Sequence, residues 1–189
     1  MKRLRILGVL FLILCSGAGA WFLFFQTYHF AVVQENVLYR DGMQGMRRFK
    51  NAYRFHPFKT VINLQSDDDL ADKYKNQVVE EKQFCAEHGI KWFHIAMKQE
   101  MPPAPEQTAE LLKITGDTAN QPVFMHDSQG VIREGMMVAV WQIEKMGYDN
   151  ERALREMNLW GHPANPELVE FIKQYKKSDA ISRAAPTSK

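Results

Sequence analysis

The sequence has little cysteine and almost no excess of one charge, and both shortages exclude functional classes. Its only two cysteines among 189 residues are Cys15 and Cys85. Two distant cysteines supply neither a multi-disulfide framework nor a CxxC metal cluster. Lysine and arginine number 24 against 22 acidic residues, which leaves a net charge of +2. Such a nearly equal number of basic and acidic residues does not indicate a nucleic-acid-binding surface, and we expect no nucleic-acid partner.

A long uncharged run near the N-terminus predicts a membrane segment. Residues 6–25, ILGVLFLILCSGAGAWFLFF, contain no charged side chain. About 20 apolar residues in a helix cross the ~30 Å hydrocarbon core of a bilayer. The preceding basic N-terminus, residues 1–5, contains Lys2, Arg3 and Arg5, which favours a cytoplasmic N-terminus. The sequence therefore predicts a single-pass membrane protein, with the lipid bilayer as a partner and the rest of the chain on the opposite side.

Two alternatives to an uncleaved anchor stay open. Residues 18–20, AGA, resemble the cleavage site of a signal peptide, although the apolar residues 21–25 continue the run past that site. Lipidation of Cys15 is the weaker alternative, because Leu14 occupies the position before it where a small residue is expected.

The remainder of the chain alternates between strand and helix signals. After a linker at residues 26–34, we expect one domain at 35–177 and a disordered polar tail at 178–189. Strands are predicted at 36–40, 60–64, 91–97 and 122–125, and helices at 45–55, 67–88, 106–115, 133–146, 150–157 and 165–175. This alternation predicts an α/β domain in which a mainly parallel central sheet is flanked by helices.

The stretch from His126 to Gly135 contains the clearest site signal. A strand leads into a glycine-containing loop that opens a helix, so backbone N–H groups and the positive end of a helix dipole point at one place. Arg133 adds a guanidinium that can bind an oxyanion with two parallel hydrogen bonds. The pattern indicates an anion-binding loop or, alternatively, an ordinary connection with a surface arginine. The predicted binding residues are Ser128, Gln129, Gly130, Val131, Ile132 and Arg133.

This stretch resembles the signature loop H-C-x5-R-[ST]-G of the protein tyrosine and dual-specificity phosphatase family. Five residues separate Asp127 from Arg133, as in that pattern. Four other segments are similar to landmarks of the small bacterial dual-specificity-like members: VLYRDGMQ at 37–44, KTVINLQSDDD at 59–69, HGIKWFHIAM at 88–97 and GYDNERALREMNLWG at 147–161. The resemblance covers roughly residues 33–176. It implies a tyrosine-phosphatase-like fold and a site without cofactor or metal.

The loop departs from the family pattern at two chemical positions. Asp127 stands where the family has its nucleophilic cysteine, and Glu134 stands where it has a hydroxyl residue. A carboxylate about 4 Å from a phosphate dianion is repelled by about 8 kcal/mol at an effective dielectric constant near 20. We therefore expect the loop N–H groups and Arg133 to hold the carboxylate of Asp127 itself.

The resemblance also implies roles for residues around the loop. His126 corresponds to the histidine whose ring orders the loop through hydrogen bonds. Glu100 follows the third predicted strand and is a general-acid candidate, or else a solvated loop glutamate. Cys85 lies in a predicted helix and is interpreted as a core cysteine, not as a displaced nucleophile. The run 67–69, DDD, is interpreted as a helix start instead of a metal site.

Two functional hypotheses follow. The first is a membrane-anchored tyrosine/dual-specificity phosphatase-like protein that is catalytically impaired and binds a phosphoprotein partner or another anionic ligand. The alternative is an active phosphomonoester hydrolase that uses a carboxylate, Asp127, at the nucleophile position.

Overall fold

The computed structural model describes residues 16–17, 27–43, 45–161 and 165–177. The predicted membrane segment lies outside the described residues except for positions 16 and 17, and so do the basic N-terminus and the polar tail. Within the described ranges, no helix combines the length and apolar character needed to cross a bilayer.

A five-stranded sheet forms the centre of the domain. Its strands are β1 (Ala31–Gln34), β2 (Leu38–Gly42), β3 (Thr60–Asn63), β4 (Lys91–His94) and β5 (Val123–Asp127), in the spatial order β1-β2-β5-β3-β4. β1 pairs antiparallel with β2, and all other pairs are parallel. The prediction of a mainly parallel sheet in a tyrosine-phosphatase-like α/β domain is confirmed.

Helices cover both faces of this sheet. They are α1 (Met46–Phe55), α2 (Asp67–Ala71), α3 (Lys75–Glu87), α4 (Pro105–Gly116), α5 (Arg133–Trp141), α6 (Asn150–Met157) and α7 (Pro166–Gln174). Successive strand side chains point to opposite faces. In β5, Phe124 packs towards α1 and α3, while Met125 packs towards α4 and α5. A short 3₁₀ turn (Thr118–Asn120) follows α4, and a π-helical segment (Gln142–Met146) continues α5.

Helix α5 is the most buried helix and fixes the position of Arg133. All nine of its residues are buried. Met137, Val138 and Trp141 pack against the sheet, whereas Met136 and Val140 pack against α6 and α7. A fully buried large apolar side chain contributes about 1.5–3 kcal/mol. Since both sides of α5 are anchored in this way, its first turn holds Arg133 at the end of the loop that follows β5.

The predicted linker at 26–34 is wrong in its second half, because Ala31–Gln34 forms strand β1. Ala31 pairs with Arg40 and Val32 with Tyr39. Alternate residues of this edge strand are exposed. The strand is too short for its alternation to distinguish it from a linker.

The predicted helix at 67–88 is divided into α2 and α3. Its cap is Ser66 and not the aspartate run: Ser66 Oγ accepts from the Asp69 N–H at 3.1 Å, and the Asp69 carboxylate accepts from the Ser66 N–H at 3.3 Å. The helical conformation stops at Asp72, where φ is −118° and ψ is −90°. This reciprocal cap orients Asp69, which becomes important in the site.

Candidate functional site

The signature loop, residues 128–132, connects β5 to α5, with Asp127 at its start and Arg133 at its end. Strand β5 lies between β2 and β3, so both of its edges are hydrogen-bonded. Just beyond the last residue pair of β2 and β5, the Met43 N–H donates to the Asp127 carbonyl at 2.9 Å. The base of the loop is therefore fixed by the centre of the sheet.

Two glycines permit the signature loop to pack directly on β2. Gly130 has a φ of +70°, a left-handed conformation that favours glycine. A Cβ atom at Gly130 would overlap the backbone of Gly42, and one at Gly42 would overlap the Gln129 carbonyl. Gly42 ends β2 and forms the surface on which the loop rests.

The carboxylate of Asp127 accepts hydrogen bonds from the backbone amides of its own loop. Its Oδ1 accepts from the Gln129 N–H at 2.8 Å and from the Gly130 N–H. Its Oδ2 lies 3.3 Å from Arg133 Nε. Asp127 is only 3% exposed, so these contacts are largely shielded from water. The anion-binding groups of this loop therefore hold the side-chain carboxylate of Asp127.

Arg133 contacts a second carboxylate. Its Nη1 donates to Asp69 Oδ2 at 2.7 Å and to the Met97 carbonyl at 3.3 Å, and its Nη2 donates to Ser128 Oγ at 3.1 Å. Burial raises the pKa of Asp69, but the hydrogen bonds from Arg133 and Ser66 outweigh it, so the net pKa is lowered. The sequence reasoning missed Asp69 as a site residue, because its position in a helix cap was a sufficient explanation for it.

Glu134 forms a buried ion pair with Arg40. Its carboxylate lies 2.5 Å from Arg40 Nε and accepts from Arg40 Nη2 at 2.7 Å. Arg40 Nη2 also lies 3.4 Å from the Gly130 carbonyl. Burial raises the pKa of Glu134, and the charge of Arg40 opposes the rise. The residue in place of the family's hydroxyl thus joins the signature loop to β2.

A third buried carboxyl group, Asp41, lies in β2 beside the loop. Its Oδ1 accepts from the Gly42 N–H at 2.8 Å, and the residue is 1% exposed. Burial raises the pKa of Asp41 to about 8, with that N–H and His126 opposing the rise. A pKa of about 8 favours the protonated form of Asp41 at neutral pH.

His126 lies behind the loop in a buried hydrogen-bond network. Its Nε2 is 3.0 Å from Glu81 Oε1, which also accepts from Trp92 Nε1 at 2.6 Å. Its Nδ1 is 3.3 Å from the Asp127 carbonyl. Burial lowers the pKa of His126, but the charge and hydrogen bond of Glu81 raise it by more. The pKa of His126 therefore lies above its ordinary value. These contacts suit the loop-ordering role that the resemblance implies.

Glu100 and Cys85 lie apart from this arrangement. Glu100 is exposed, and in the described part of the chain it makes no hydrogen bond or ion pair to the side chains of Asp127 or Arg133. Cys85 is buried in α3 within the core cluster that includes Phe49, and burial raises its pKa to about 12. The thiol therefore stays protonated at physiological pH.

A cavity of about 540 Å³ opens between α2 and the loop after β4. Asp67, Asp68 and Asp69 line it together with Lys98. Because Asp69 also contacts Arg133, this cavity adjoins the signature loop. Negative charge on its wall disfavours the approach of a phosphate group.

The segment just before β1 also contacts the signature loop. The Gly42 N–H donates to the Tyr28 carbonyl at 2.7 Å, and His29 Nδ1 is 2.7 Å from the Gln129 carbonyl. The His29 ring stacks between Tyr28, at 4.1 Å, and Trp160, at 4.7 Å. Nothing in the local residue pattern predicted these contacts, which join the start of the domain to its site.

This fold and loop are those of a dual-specificity-phosphatase-like domain, and comparison with known proteins agrees. Residues 35–168 match the family described as DSP-PTPase phosphatase fused to NAD+ kinase, and the chain belongs to this family.

Two sequence relatives and one solved structure of similar fold illustrate the match. "Probable NAD kinase 2, chloroplastic" of Oryza sativa subsp. japonica is 26% identical over 85 residues, which are 45% of this chain and 8% of the rice protein. "Tyrosine-protein phosphatase-like protein OCA2" of Saccharomyces cerevisiae is 24% identical over 155 residues, covering 80% of this chain and 75% of OCA2. The core catalytic domain of the S. cerevisiae PP-IP phosphatase SIW14, in complex with citrate, superposes with a TM-score of 0.67 at 20% identity, covering 82% of this chain and 90% of that one.

Proposed function

We propose that this chain is a membrane-anchored phosphatase-like protein that does not hydrolyse phosphomonoesters and acts by binding a phosphoprotein partner or another anionic ligand. One observation carries the proposal: the carboxylate of Asp127 accepts the N–H groups of Gln129 and Gly130. These are the donors that a bound phosphate would need.

The chemistry at position 127 supports loss of turnover. Asp127 Oδ1 is held by two amides and Oδ2 faces Arg133, so neither oxygen is free to attack a phosphorus atom. A phosphate monoanion about 4 Å from this carboxylate meets about 4 kcal/mol of repulsion at an effective dielectric constant near 20. Cys85 offers no substitute, since its pKa is raised to about 12 in the core.

The remaining donors support weak anion binding. The Arg133 guanidinium still attracts an anion, but Asp127 holds the amides of Gln129 and Gly130, and Asp69 competes for the same guanidinium. The structure of the SIW14 core was obtained in complex with citrate, an anion. This supports phosphate, vanadate and citrate as probes of the loop.

The anchored part of the proposal rests on the uncharged run at 6–25 and on the basic residues Lys2, Arg3 and Arg5 before it. We propose a single membrane span with a cytoplasmic N-terminus and the domain on the opposite side.

Hydrolysis of p-nitrophenyl phosphate by the full chain in detergent tests the loss of activity. We expect no turnover above buffer, with or without Mg²⁺. The matched variants are Asp127→Asn and Asp68→Asn; the second makes the same change at an exposed position that does not contact Arg133. Metal-independent turnover that Asp127→Asn abolishes and Asp68→Asn keeps would contradict the proposal. Turnover that requires Mg²⁺ and Asp127 would instead support a carboxylate nucleophile.

A further inference from the structure

Between Gly42 and Ser66 the chain contains no acidic residue, although it contains five basic ones: Arg47, Arg48, Lys50, Arg54 and Lys59. Three of them form one surface of α1. Arg47, Lys50 and Arg54 are exposed and follow i, i+3, i+7 spacing, which places them on one helix face. The opposite face packs Phe49 and Ala52 into the core. We call Arg47, Lys50 and Arg54 the basic face of α1.

This helix lies beside the segment through which the chain enters the domain. The Arg48 guanidinium is 5.1 Å from the centre of the Tyr28 ring. At the other end of α1, the His56 ring stacks on Phe30 at 4.5 Å. Both ends of α1 therefore contact residues 28–30.

Residues 28–30 follow the predicted membrane span closely. That span ends at Phe25, and three further residues extend at most about 10 Å. Charged groups interact strongly within one Debye length, which is about 8–10 Å at physiological ionic strength. A basic helix held at this distance is attracted to anionic headgroups in the leaflet on the domain's side of the membrane.

We propose that the basic face of α1 lies on the anionic lipid surface of the bilayer. This inference rests on the membrane anchoring proposed above. Phe55, which is 44% exposed at the end of α1, adds an aromatic ring of the kind found at membrane interfaces. The net charge of +2 and the tether at residue 25 favour a membrane over a nucleic acid.

The position of the signature loop follows from this orientation. His29 contacts the Gln129 carbonyl, and Tyr28 contacts Gly42 beneath the loop. The loop therefore packs on the segment that, in this proposal, follows the membrane span.

Lysine footprinting of the full chain in vesicles tests the contact. The protein is reconstituted in neutral phosphatidylcholine vesicles and in vesicles with 30% phosphatidylglycerol, and acetylation of each lysine is followed by mass spectrometry. Lys50 reports on the basic face, and the exposed Lys113 on α4 serves as the control. We expect phosphatidylglycerol to slow acetylation of Lys50 at least threefold, an effect that high salt reverses, while Lys113 stays unchanged.

A variant separates docking from anchoring. Arg47→Glu combined with Arg54→Glu keeps the predicted span and Lys50, so it should still float with vesicles but lose the protection of Lys50. Flotation of the wild type with both vesicle types, without protection of Lys50, would overturn the docking and leave the anchor intact. Failure to float with neutral vesicles would overturn the anchor and the docking with it. Protection of Lys50 by duplex DNA on neutral vesicles, but not by phosphatidylglycerol, would assign the surface to nucleic acid and also overturn the proposal.

Discussion

Removing the carboxylate of Asp127 should convert the signature loop into a stronger oxyanion-binding site. In the wild type, two carboxylates contact one guanidinium: Asp127 through Arg133 Nε at 3.3 Å and Asp69 through Nη1 at 2.7 Å. The variant Asp127→Ser frees the N–H groups of Gln129 and Gly130 and one side of Arg133. We expect the fold to be retained, because among the described residues the Asp127 side chain bonds only to the loop and to the first turn of α5.

The size of the gain follows from the charges. A sulfate or phosphate placed about 4 Å from the Asp127 carboxylate is repelled by about 4 kcal/mol per unit charge at an effective dielectric constant near 20. Relief of even ~1.4 kcal/mol strengthens binding tenfold, so we expect Asp127→Ser to bind at least tenfold more tightly. Asp69→Asn should add a smaller gain, because Asp69 is 32% exposed and water screens its charge.

Isothermal titration with sulfate, phosphate and vanadate measures these affinities. Asp68→Asn is the control: it removes the same charge from α2 at an exposed position without contact to Arg133, and it should raise the affinity less than Asp69→Asn. Adding Arg133→Ala to Asp127→Ser should abolish the gain, because the guanidinium supplies much of the attraction. Equal, weak binding by the wild type and Asp127→Ser would refute the reasoning, since the loop would then not be an anion site at all.

Three further predictions concern the buried charges and the thiol. Glu134→Gln leaves Arg40 buried without a counter-charge and should lower the free energy of unfolding by about 3–5 kcal/mol in thermal denaturation, whereas the exposed Glu151→Gln should change it by less than about 0.5 kcal/mol; equal effects would contradict the ion pair. Because the folded pKa of Asp41 is about 8 and lies above its unfolded value, its contribution to stability is greatest below about pH 4 and is lost as the pH rises towards 8, by up to about 1.4 kcal/mol per pH unit. Asp41→Asn should therefore flatten this decline and raise the melting temperature more at pH 8 than at pH 5. Parallel plots of melting temperature against pH for the wild type and Asp41→Asn would argue against a buried carboxyl. Cys85 should react with iodoacetamide far more slowly in the native protein than in urea, as read by peptide mapping, and equal rates would show that the thiol is accessible.

The sequence predicted the mainly parallel sheet and the site loop but missed strand β1, and physical reasons explain the difference. A loop with closely spaced donors and one arginine is a local feature, so the pairing of Asp127 with its own loop can be inferred from charge alone. That contact is present in the structure. Strand β1 was missed because four edge residues with alternate exposure carry too little apolar signal to separate them from a linker.

Long-range partners of the loop could not be inferred from local pattern. Asp69 reaches Arg133 across 64 residues, and Arg40 reaches Glu134 across 94. Each of these side chains has a sufficient local explanation, as a helix cap or as part of a strand, so no periodicity marks it as a site residue. Only the parallel pairing of β2 and β3 with β5 brings them together.

The central claim is that the carboxylate of Asp127 occupies the anion site of its own signature loop. A crystal structure of the protein grown in concentrated phosphate tests it most directly. The account predicts Asp127 Oδ1 on the N–H groups of Gln129 and Gly130, with no phosphate bound to those two amides. Phosphate oxygens on these amides, with the Asp127 side chain turned away from Arg133, would contradict it.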